Sequence, residues 1–91
     1  EVDVIGAYTT DGRIAAYDLV VLDDPRASLP PYDAVILISP QAAASPALAN
    51  ALAPFLNAIP ADAMREANRR VDLDRETPAQ AAAWLWGEVG R

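Results

Sequence analysis

Asp33-Ala34-Val35-Ile36-Leu37-Ile38-Ser39 is the stretch on which the fold turns. Four large aliphatic residues follow one another without a polar break. The run is short, β-branched and closed by Ser39-Pro40, which is the pattern of a strand buried on both faces. Two earlier runs share its composition. They are "VDVIGAY" at residues 2–8 and "YDLVVLDD" at residues 17–24, each bounded by Gly, Pro or Asp clusters. The expectation is therefore strands in the first 40 residues. Asp11-Gly12 interrupts them with a turn that leads into one short helical turn near residues 13–17.

Beyond Pro40 the chain becomes alanine-rich and helical in pattern. Ser45-Pro46 places an N-cap residue before proline at the first helical position. Leu48, Leu52, Phe55, Leu56 and Ile59 then recur near helical spacing, as a buried stripe would. Pro54 removes an internal hydrogen bond and should kink or break this helix. Residues 60–71 carry a second helix, with Met64, Ala67 and Val71 on one face. Residues 72–76 read as a linking turn. Thr77-Pro78 repeats the cap-plus-proline signal, and a third helix runs to about residue 89, with Gly90 as its C-cap.

With 91 residues, the chain amounts to one small domain or a piece of a larger one. It opens directly in strand-like sequence, as a segment of a longer chain would. Cysteine and histidine are both absent. That leaves no disulfide framework, no thiolate metal site and no imidazole base. Every basic residue is an arginine, and the net charge is −6. The arginines are scattered apart from Arg69-Arg70, a poor footprint for nucleic acid.

Catalytic chemistry has little to stand on. The near-adjacent carboxylates Asp23-Asp24 and Asp72/Asp74 lie in polar turn sequence, where solvation is the simpler role. No serine or threonine has a histidine partner. The four glycines match no phosphate-binding spacing. The expectation is a protein that is not an enzyme and needs no cofactor or metal.

The aromatics divide into two groups. Phe55 reads as core, and Tyr17 as core or half-buried packing. Trp84 and Trp86, two apart on a helix, point in different directions, so one is expected inside and the other exposed or at an interface. Tyr8 and Tyr32 each stand where a strand-like run meets a polar loop. A tyrosine face attracts a cation, and several faces can enclose a quaternary ammonium that donates no hydrogen bond. Packing is the alternative role for both.

A resemblance favours the first role. "TTDGRI" at residues 9–14 after Tyr8, "LVVLDD" at 19–24 and "PPYDA" at 30–34 resemble motifs of the substrate-binding proteins of glycine betaine/choline ABC transporters. "MREANRRVDLDRETPAQAAAWL" at residues 64–85 is similar to that family's closing helices, where a Met-x-x-x-Asn, Val-Asp, Pro-Ala pattern recurs. Residues 27–29, "ASL", depart from the family, which carries aromatics there.

The resemblance implies an α/β chain, the C-terminal segment of a two-lobed type II periplasmic-binding-protein fold. Residues 1–32 would end the second lobe and cross over, and residues 33–91 would be the C-terminal part of the first lobe. It implies a quaternary ammonium ligand such as glycine betaine or choline, held in an aromatic cage to which Tyr8 and Tyr32 belong. Thr9 and Thr10, next to Tyr8, are further ligand-binding candidates, with turn formation as their alternative. The implied partners are an ABC transporter permease subunit and a missing N-terminal part of the same protein, and the implied location is extracytoplasmic. The competing class is a structural or oligomerising α/β domain whose tyrosines only pack.

Overall fold

The computed structural model describes residues 1–90. Its order is helix α1 (Gly12–Ala16), α2 (Pro40–Ala43), α3 (Pro46–Leu52), a 3-10 turn (Ala53–Phe55), α4 (Ala61–Asp72) and α5 (Pro78–Val89).

Local chemistry explains three of the helix starts. Ser39, Ser45 and Thr77 each present a side-chain oxygen to the backbone N–H three residues on, and each is followed by proline. Proline lacks the N–H that the first turn cannot use, so it costs nothing there. At α5 the cap is reciprocal. Thr77 Oγ1 accepts from Gln80 N–H at 3.3 Å, and Thr77 N–H donates to Gln80 Oε1 at 2.8 Å, a capping box. Pro54 breaks α3 as its chemistry requires, and the chain tightens into the 3-10 turn. Asn57 follows with a positive φ of 55°, a conformation that asparagine tolerates.

Packing centres on α4. It touches both α1 and α5. The two buried apolar side chains among the described residues are Ala67 on α4 and Ala81 on α5. Arg69 and Arg70 lace the same helix together. Arg69 makes a fork-to-fork pair with Glu66, both bonds at 2.8 Å, and reaches Asp74 at 2.9 Å. Arg70 donates to Glu66 at 3.1 Å and to Glu76 at 3.3 Å, and its guanidinium lies 4.3 Å from the Trp84 ring centroid.

The expected strands are not there. The described residues contain no β-strand, so the α/β assignment with strands in the first 40 residues is corrected: the chain is helical with long irregular segments. A strand is defined by its ladder partner. Among the described residues, none of 33–38 enters a backbone–backbone hydrogen bond. Val35 and Leu37 are 70% and 88% exposed, the opposite of a run buried on both faces.

The packing expectations for the apolar side chains divide. On α4, Ala67 is buried and Met64 and Val71 half-buried. The stripe from Leu48 to Ile59 is not buried: Leu48 and Leu52 are half-buried, while Phe55, Leu56 and Ile59 are exposed. Phe55 is therefore not core, and Tyr17 is exposed as well. The tryptophans separate as their spacing requires. Trp84 is half-buried under Arg70, and exposed Trp86 meets Phe55 with ring centroids 5.5 Å apart.

Candidate functional site

The turn at residues 8–11 is closed by Asp11 N–H donating to the Tyr8 carbonyl at 3.0 Å. Neither Thr9 nor Thr10 has a positive φ, so the turn needs no glycine at its centre. That leaves the sequence free to place an aromatic ring at its start. Asp11 ends the turn and caps α1. Its carboxylate accepts from Arg13 N–H at 2.9 Å and from the Arg13 guanidinium at 3.0 and 2.7 Å. The hydrogen bond from the Arg13 side chain, reinforced by the one from its backbone, pulls the Asp11 carboxyl down to about 2. Arg13 spends its charge on this pair.

α4 holds the turn from the other side. Asn68 Nδ2 donates to the Thr10 carbonyl at 2.7 Å, and Arg65 Nε donates to the Thr9 carbonyl. The two threonines thus meet α4 through their backbones. Gly12 lies against the backbone of Asn68 and Arg69 so closely that a Cβ on it would stand 2.4 Å from Arg69 N.

Tyr8 and Tyr32 come together. Their ring centroids are 6.0 Å apart and their planes meet at 61°. Both residues are largely exposed, at 68% and 76%. The arrangement is an open aromatic corner with one ring edge-on to the other. A corner of this shape can present aromatic π surface to a cation from two directions. It offers no acid, base or nucleophile of its own.

The sequence singled out Tyr8 and Tyr32, and the structure brings them into contact across 24 residues of chain. Thr9 and Thr10 stand beside them in the turn. Sequence reasoning did not identify Arg65 and Asn68 as partners of that turn. Asn68 did carry a signal, as the last residue of the Met-x-x-x-Asn pattern beginning at Met64.

Two grooves lie elsewhere. One of about 570 Å³ is walled by Pro60, Asp62, Glu66, Trp84 and Glu88. The other, of about 390 Å³, is lined by Ile5, Ala7, Arg13, Ile14 and Tyr17 and runs beside the turn without including either corner ring. The described residues include no cluster of side chains able to hold a metal ion. No helix among them is long and apolar enough to cross a membrane.

Comparison with known proteins supplies the context for the corner. No curated protein and no solved structure matches the chain. The family model described as the substrate binding domain of ABC-type glycine betaine transport system matches residues 1–87. That is a family of transport solute-binding domains, not of enzymes. The match takes in Tyr8, Tyr32 and the α4 residues that hold the turn, and the chain belongs to this family of glycine betaine transport substrate-binding domains.

Proposed function

We propose that the chain contributes Tyr8 and Tyr32 to an aromatic cage for a quaternary ammonium solute, glycine betaine or choline, delivered to an ABC permease. The observation that carries this reading is the aromatic corner itself. Two tyrosines 24 residues apart meet at 61° while both stay exposed, although exposing a large apolar face costs folding energy that packing would recover. A trimethylammonium group has diffuse positive charge and no N–H, so ring faces suit it better than hydrogen-bond acceptors do. Each desolvated face contributes about 0.5–2 kcal/mol. Two faces leave the other sides of the cation open, so groups beyond this corner complete the enclosure. Thr9 and Thr10, which follow Tyr8 in the chain, are the polar candidates. Substrate-binding domains of ABC importers work outside the cytoplasm, and the same location is proposed here.

The test is calorimetric titration of the full-length protein with glycine betaine and with choline, repeated on Tyr8→Ala and Tyr32→Ala. Each substitution is expected to weaken binding tenfold or more, about 1.4 kcal/mol. Unchanged affinity in both variants would return the tyrosines to the competing role, that of surface packing in a structural domain.

A further inference from the structure

The turn that carries Tyr8 has little of its own to hold it. One backbone hydrogen bond closes it, and its residues up to Thr9 are exposed. What fixes it comes from far along the chain. Asn68 Nδ2 and Arg65 Nε donate to two consecutive turn carbonyls, across sequence separations of 58 and 56 residues. Those two donors sit three residues apart on α4, so they share one face of the helix. Gly12 seats the other end of the turn directly on the α4 backbone. Two directed bonds and one close contact define an orientation, where a single contact would allow the turn to pivot.

α4 is itself held in rotation. The Arg70 stack on Trp84 ties the helix to α5, and the bonds from Arg69 to Asp74 and from Arg70 to Glu76 tie it to the turn at residues 74–76. Pinning the helix at these contacts fixes where Arg65 and Asn68 point.

We infer that Arg65 and Asn68 are positioning residues for the aromatic corner: by clamping the Thr9 and Thr10 carbonyls to α4, they set the angle at which Tyr8 meets Tyr32. The inference rests on the quaternary ammonium reading for its consequence in binding, and on the geometry alone for its consequence in ring orientation. A ring that can swing does not present its face to the cation at all times. The ligand must then supply the ordering free energy, and affinity falls.

The two consequences are measured separately in the full-length protein. Carbon-13-labelled tyrosine reports the ring environments by NMR, and titration with glycine betaine reports affinity. In Asn68→Ala, and in Asn68→Asp, which keeps the shape but loses the donor, the Tyr8 ring resonance is expected to move toward its random-coil position. The Tyr17 resonance should stay in place. Affinity is expected to drop between about threefold and tenfold, the effect of one neutral hydrogen bond. Arg65→Met, which keeps the stem and removes the donor, should act in the same direction and stands in if the Asn68 variants do not fold.

A purely structural role would lower the melting temperature and leave the Tyr8 resonance and the affinity of the folded fraction unmoved. That result overturns the inference. The binding reading fails by a different result, a Tyr8→Ala protein that binds glycine betaine as the parent does. In that case the Tyr8 resonance in the Asn68 variants still decides whether α4 orients the ring.

Discussion

Gly12 is glycine because of distance, not because of its dihedral angle. Its φ is not positive, and any residue could adopt its backbone conformation. What excludes a side chain is the α4 backbone, 2.4 Å from where a Cβ would lie, and backbone cannot rotate out of the way. Gly12→Ala should therefore push α1 off α4, at the cost of about 1–3 kcal/mol that overpacking carries. Hydrogen exchange is the check: the α1 amides should lose protection while those of α5 keep theirs. Asp11, one residue earlier, gives a pH signature. Its folded-state carboxyl sits near 2 against an ordinary 3.8, mainly because the Arg13 side chain donates to it. A depressed carboxyl contributes stability that is fully present above the ordinary value and is lost as pH falls through the folded one. The cap on α1 should hold at pH 5 and loosen progressively between about 4 and 2. A carbon-13 titration of the Asp11 carboxyl should find its midpoint near the lower end.

At the scale of elements, α5 carries a prediction that isolates local chemistry. Its capping box gives the Thr77 N–H a partner and adds a side-chain acceptor to the Gln80 N–H, which also reaches the Thr77 carbonyl at 3.0 Å. Thr77→Ala removes the oxygen and should cost about 1 kcal/mol locally, a roughly fivefold faster amide exchange in the first turn. Exchange in α4 should not change. The same locality explains what the sequence made legible. A serine or threonine followed by proline starts a helix whatever surrounds it, and Pro54 ends one for the same reason. So the starts of α3 and α5 fall where the pattern put them, and α4, which has no side-chain cap, falls within a residue of its expected bounds through its apolar spacing. Strand pairing has no such local determinant. The aliphatic run at residues 35–38 has the composition of a strand, but composition supplies no ladder partner, and the chain gives it none. The corner stands between these cases. Tyr8 and Tyr32 were legible through motif resemblance. The clamp from Arg65 and Asn68 was not, because a side chain donating to a backbone carbonyl leaves almost no trace in the identity of the accepting residue.

The whole molecule is open. Its accessible surface is 7764 Å², against about 5,100 Å² for a compact folded monomer of 9.7 kDa. Its radius of gyration is 16.2 Å, against about 12 Å for a compact domain of this length. The difference lies in the aliphatic segments, where Val20 and Leu37 are more than four-fifths exposed. Cooperativity in folding comes from a shared core, and among the described residues the buried apolar side chains are two alanines. Helix caps and arginine–glutamate pairs stabilise elements one at a time; α4 joins α1 to α5, and the Phe55–Trp86 contact joins the 3-10 turn to α5. The 91-residue chain on its own should therefore lose its 222 nm circular dichroism over a broad temperature range, with no sharp calorimetric peak. It should also bind a hydrophobic dye at low temperature, as exposed aliphatic surface does. Small-angle scattering at low concentration should return a radius near 16 Å. A sharp, two-state transition would contradict this, because it requires that the aliphatic segments be covered in solution. Sedimentation equilibrium would then separate the two ways of covering them. A monomer mass means that the chain collapses onto itself. A dimer mass means that a second copy covers the surface.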